Sequence, residues 1–155
     1  MVAAREFKGI VTTAIEEGID LVVAGAGFSR DMFAWGKASG TPIVPIVSSA
    51  KLAKISQSLG ASAVVVEGAE AGGHLGTNRS SRLIVPEVRA AVDIPVIGAG
   101  GVLHGEDVAE MLRLGANGVQ MGSRFAASVE SNGADELKKV YLRANKPEDF
   151  VLVHS

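Results

Sequence analysis

The chain has 155 residues, 47% hydrophobic and 21% charged, with a net charge of −2, a balance that suits one globular domain and offers no basic stripe for nucleic acid. No apolar run approaches the ~20 residues of a membrane span, and no secretion signal is read at Met1. The absence of cysteine rules out disulfides and thiol nucleophiles and suits a cytoplasmic protein acting on small molecules.

In chain order, Glu6 to Glu17 reads as a helix, with Phe7, Ile10, Val11, Ala14 and Ile15 at helical spacing and Gly18 at the C-cap. Leu21 to Ala24 reads as a buried strand that ends in Gly25-Ala26-Gly27, and Asp31 to Ala38 as a short helix broken by Gly40-Thr41-Pro42. Ile43 to Val47 is the second strand, where Pro45 requires an edge or an irregularity. Ser48-Ser49 then caps a helix over Ala50 to Leu59 that Gly60 closes.

The third strand, Ala63 to Val66, runs into a glycine-rich turn from Glu67 to Gly76. A polar stretch, Thr77 to Arg82, leads into a helix over Ile84 to Ala91 with Pro86 in its first turn. Ile94 to Ile97 is a strand ending in Gly98-Ala99-Gly100-Gly101. Glu106 to Leu114 is a helix whose Val108, Met111, Leu112 and Leu114 are expected to face inward. Gly118 to Met121 is the last strand of the series and stops at Gly122-Ser123-Arg124. Phe125 to Ser128 and Asp135 to Ala144 read as helical, and Phe150 to His154 as a short β-like run.

Helix and strand therefore alternate at roughly the spacing of a βα unit, about five times. Strands that are apolar throughout argue for a parallel sheet. A doubly wound open sheet and a (β/α)8 barrel both satisfy this, and both place ligands at the carboxyl ends of the strands, where the glycines cluster. A complete barrel needs eight units and typically ~250 residues.

Two strand ends, Gly98-Ala99-Gly100-Gly101 and Gln120-Met121-Gly122-Ser123, could hold a phosphate through backbone amides and a following helix N-terminus. The alternative is tight turns that need glycine for geometry alone. Neither is a dinucleotide fingerprint, and no Walker lysine follows a glycine run. His74, flanked by glycines after a strand, has the near-neutral titration that proton abstraction requires, or is a surface-loop histidine with a local hydrogen bond. His104 and His154 read as solvated. Glu67 could reach cofactor hydroxyls from its strand end, while Glu70 caps or pairs locally. Arg124 suits a phosphate and a neighbouring carboxylate equally. Trp35, Phe33 and Met32 read as packing, Ser48 and Ser49 as caps, and no spacing suggests a metal site.

Three segments in order carry a resemblance: Glu67-Gly68-Ala69-Glu70-Ala71-Gly72-Gly73-His74-Leu75-Gly76, Pro95-Val96-Ile97-Gly98-Ala99-Gly100-Gly101, and Gly115 to Phe125. They closely resemble the nitronate monooxygenase (2-nitropropane dioxygenase) family, and the related FMN-dependent enoyl-acyl-carrier-protein reductases share the same order. The resemblance implies an FMN-binding TIM barrel of which residues 1–155 form a single partial domain of about five βα units. That domain lacks the first strands and the carboxyl-terminal part, and alone it is expected to bind FMN weakly or not at all. It implies His74 as catalytic base or polarising group. Cofactor contacts fall on Glu67, Gly72, Gly73, Gly100 and Gly101, with Gln120, Met121, Gly122 and Ser123 near the phosphate. Glu67 departs from the Gln common in nitronate oxidisers and is similar to the reductase branch. The implied activity is oxidation of alkyl nitronates with O2. The alternatives are NAD(P)H-dependent reduction of an enoyl thioester, or an inactive truncated module that binds a phosphate ligand.

Overall fold

The computed structural model describes residues 3–25, 29–73, 76–144, 146 and 149. The chain forms two compact units, Met1–Gln120 and Met121–Ser155. The first contains α1 (Ala3–Glu16), β1 (Val22–Ala24), α2 (Arg30–Ser39), β2 (Ile43–Val47), α3 (Ala50–Leu59), β3 (Val64–Glu67), α4 (Ser81–Arg89), β4 (Val96–Ala99), α5 (Gly105–Arg113) and β5 (Gly118–Gln120). The second contains α6 (Ser123–Ala126) and α7 (Asp135–Arg143). The expected run Phe150 to His154 lies outside the described residues. None of the described helices is long and apolar enough to cross a membrane.

All strand pairings are parallel, and the sheet order β1-β2-β3-β4-β5 follows the sequence without reversal. That order decides between the two architectures. A doubly wound sheet must reverse direction at a switch point, whereas a barrel adds each βα unit beside the last. The fold of the first unit is thus five parallel strands alternating with helices in barrel order.

Register sorts the side chains onto two faces, because paired residues in neighbouring strands point the same way. Val64 pairs with Val96, and Val66 with Val47 and Gly98. These valines are fully buried or nearly so. Burying one such side chain completely is worth about 1.5–3 kcal/mol. Toward β1, Met32 and Phe33 of α2 pack with Ala24 and Ile43, and Trp35 joins them as the sequence suggested. On the opposite face Val44, Ala63, Val65 and Ala99 form a second cluster with Ile46 and Ile97, built from strand residues and Ala63 just before β3.

Helix ends follow local chemistry. Gly40 and Gly60 close α2 and α3 in the left-handed conformation, and Ser49 caps α3 by accepting from the Leu52 amide. Pro45 sits inside the sheet rather than at its edge, at the rung where β2 stops pairing with β1 and starts pairing with β3. That partner switch is the irregularity that tolerates its missing N–H.

Several details differ from the sequence reading: Leu21 and Val23, expected in a buried strand, are about half exposed, and β5 stops at Gln120. Helix α4 starts at Ser81 rather than Ile84, so Pro86 lies beyond the first turn, where it deprives the Arg82 carbonyl of an amide donor. In α5 only Met111 is fully buried, while Leu112 is about half exposed. Strand β4 continues through Gly98 to Ala99. A Cβ at Gly98 would stand 3.0 Å from the Met111 Sδ, so the missing side chain is what lets α5 lie close.

Candidate functional site

The carboxyl ends of β3 and β4 meet. The Gly68 amide donates to the Ala99 carbonyl at 3.3 Å, and the Ala71 amide returns to the Gly68 carbonyl, folding residues 68–71 into a turn. That turn lies against the β4 loop: a Cβ on Gly100 would be 3.1 Å from the Ala71 nitrogen, and one on Gly101 would be 3.2 Å from the Glu70 Cβ. Further along, Gly76 approaches the loop after β2, where a Cβ would stand 2.9 Å from the Ser48 Oγ.

Glu70 explains the early start of α4. Its carboxylate accepts from the Ser80 hydroxyl and, at 3.0 Å, from the Ser81 amide, the first of the helix. Burial raises its pKa, but the Ser80 hydroxyl, the Ser81 amide, its own amide and the Arg82 guanidinium outweigh this and leave it below the usual carboxylate value. The local capping role read from sequence is thus what the structure contains.

Arg82, passed over in the sequence as the end of a polar stretch, ties the site together. Its Nη1 donates to the Gly100 carbonyl at 3.2 Å and to the Ser81 Oγ. Nη2 donates to the Gly101 carbonyl at 3.0 Å and to Asp107, and Nε to Glu110. The other Asp107 oxygen accepts from the Leu103 and His104 amides at 2.9 and 2.8 Å. These two amide bonds, despite a small opposing effect of burial and with help from Arg82 and His104, hold the Asp107 carboxyl below its usual range.

The loop from Gly100 to His104 is therefore gripped at two carbonyls and two amides. Peptide bonds here are trans, so a carbonyl turned toward Arg82 turns the next amide away from it. Those are the amides of Gly101 and Val102, and among the described residues nothing accepts from them. Gly100 and Gly101 hold φ of 94° and 66°, which a side chain rarely adopts.

Glu67 is half-buried at the end of β3 and pairs in register with Ala99, which pairs with Gln120. Burial raises the Glu67 pKa, and among the described residues its carboxylate has no hydrogen-bonding partner. Gly72 and Gly73 are exposed, Gly73 with φ of 96°. His74 lies outside the described residues. Met121, Gly122 and Ser123 belong to the second unit, where Gly122 is the N-cap of α6 and Ser123 its first residue; Arg124 follows, exposed. His104 is the exposed N-cap of α5. Thus the structure brings together Glu67, Gly100, Gly101 and Gln120 on adjoining strand ends. Arg82, Asp107 and the Val102 amide, which sequence reading missed, complete that arrangement. Asp107 had a signal, an acid three residues past a helix cap. Arg82 had none.

Fold and strand ends define a parallel α/β protein of barrel type with glycine-rich loops at the carboxyl ends of β3 and β4. The chain belongs to the nitronate monooxygenase family, whose characteristic sequence it matches over residues 1–155. It is 41% identical over 128 residues to the (3aS,4S,5R,7aS)-5-hydroxy-7a-methyl-1-oxo-octahydro-1H-indene-4-carboxyl-CoA dehydrogenase of Rhodococcus jostii, covering 83% of this chain and 36% of that protein. It is 31% identical to a probable nitronate monooxygenase of Staphylococcus saprophyticus, over 99% of this chain and 46% of that one. The structure of FabK from Thermotoga maritima superposes with a TM-score of 0.88 at 39% identity, over 91% of this chain and 45% of that one. The chain spans less than half the length of these relatives.

Proposed function

We propose that this chain forms the phosphate-gripping part of an FMN-dependent oxidoreductase that oxidises alkyl nitronates with O2. The observation that carries this reading is the pair of amides at Gly101 and Val102, which have no acceptor among the described residues. Val102 is 4% exposed, and a buried amide without an acceptor is costly. A phosphate oxygen satisfies both the hydrogen bonds and the local positive potential. Gly72 and Gly73 are proposed to add flavin contacts, with Glu67 and Gln120 on the face where the ring system and ribityl hydroxyls would lie.

Bound there, the flavin supplies a two-electron acceptor that O2 regenerates. His74 would take the proton from the carbon bearing the nitro group, or donate to the oxygen of a nitronate already formed. Half-buried, with burial raising its pKa, Glu67 would hydrogen-bond polar groups of the cofactor or substrate.

A second reading is supported by the higher identities to FabK and to a dehydrogenase whose name specifies a carboxyl-CoA substrate: reduction of an enoyl thioester with NAD(P)H. The two separate under anaerobic conditions in excess FMN. Nitronate oxidation predicts flavin bleaching by a nitronate and not by NAD(P)H; the reductase reading predicts the reverse. His74→Ala is expected to abolish turnover while leaving FMN affinity unchanged. Bleaching by neither reductant would leave only a phosphate-ligand module.

A further inference from the structure

We propose that Arg82 is a positioning residue for the cofactor phosphate, acting through the peptide groups it holds rather than by touching the anion. The inference rests on the phosphate reading above and adds to it a residue and a mode of action.

A guanidinium has five N–H donors and no acceptor. All five have a recipient here: the Gly100 and Gly101 carbonyls, the Ser81 hydroxyl, Asp107 and Glu110. No donor remains for a ligand. The flanking carboxylates, at 3.2 and 3.1 Å, also balance its charge, so it adds little net attraction for an anion. What it does fix is orientation. Two successive carbonyls are drawn to one planar group, and the two amides that follow are forced to the other side.

Asp107 completes the selection by occupying the next two amides, those of Leu103 and His104. Within the loop, Arg82 and Asp107 thus leave the Gly101 and Val102 amides aligned and available. Preset donors of this kind need no reorganisation when an anion arrives. Lysine cannot substitute, because a single ammonium with three donors lacks the planar fork that spans two adjacent carbonyls.

The test compares FMN with riboflavin, which lacks the phosphate, by titrating each to millimolar concentration into the 15N-labelled full chain. In the native sequence, FMN should shift the Gly101 and Val102 amide resonances and riboflavin should not. Arg82→Ala and Arg82→Lys should each lower the preference for FMN over riboflavin about tenfold, the scale of losing aligned hydrogen bonds to a charged group. Riboflavin affinity should stay within about twofold. A folded variant that keeps the native FMN preference overturns the role of Arg82 and leaves the phosphate reading intact. Equal loss for both ligands also overturns it, by showing a merely structural role. A native chain in which neither FMN nor inorganic phosphate moves the Gly101 and Val102 amides overturns the phosphate reading and the Arg82 proposal together. That last measurement can overturn the proposal even if both variants fail to fold.

Discussion

Glu67 and Gln120 lie on one rung of the sheet with Ala99 between them, so both side chains leave the face opposite the helices. Burial raises the Glu67 pKa from its ordinary 4.5. A raised folded pKa gives stability that is fully present below the unfolded value and is lost as pH rises through the folded one. Glu67→Gln should therefore raise Tm at pH 7. The difference should vanish once both states of the native protein are protonated, below about pH 4. Thermal melts of both proteins across this range check the sign.

Glu70 has the opposite sign. Its depressed pKa means that its contribution is present above the unfolded value and lost as pH falls through the folded one. Removing the carboxylate with Glu70→Ala deprives the Ser80 hydroxyl and Ser81 amide of their acceptor. It should cost about 1 kcal/mol at pH 7, the usual scale of a lost helix cap. Denaturant titrations at pH 7 and pH 2 should show the cost shrinking at the lower pH.

Gly68 is held by space rather than by φ. A Cβ there would be 2.1 Å from the Ser81 nitrogen and 2.6 Å from its Cα, both backbone atoms that cannot swing aside. Gly68→Ala should destabilise by about 3 kcal/mol, at the upper end for overpacking. Gly9, inside α1, has nothing within 4 Å of such a Cβ. Gly9→Ala should stabilise by roughly 0.5–1 kcal/mol. Urea midpoints at constant m-value would test both.

Neighbouring positions on α5 should part company in the same assay. Met111 is fully buried against Gly98 while Leu112 is about half exposed. Met111→Ala should cost about 2–5 kcal/mol through the cavity left between helix and sheet. Leu112→Ala should cost under ~1 kcal/mol.

The sequence by itself determined the succession of elements. Apolar β-branched runs such as Val64-Val65-Val66, and the glycines that stop them, act over a few residues, so local pattern and local structure agree. The same holds for the Ser49 cap and for the glycine ends of α2 and α3. The three segments around Glu67, Gly98 and Gly115 likewise carried the family.

Only the tertiary structure decided how those pieces cooperate. The unreversed strand order that selects a barrel arrangement, the strand change at Pro45, and the early start of α4 under Glu70 all depend on groups far apart in the chain. Arg82 makes the point most sharply. It reaches carbonyls 18 and 19 residues away and acids 25 and 28 residues away, and a polar residue's partners across such loops leave no periodicity to read. Spacing could propose that glycine amides bind an anion. Which amides of the loop are taken up was settled by Asp107 of α5, and which carbonyls are held, by Arg82 of α4.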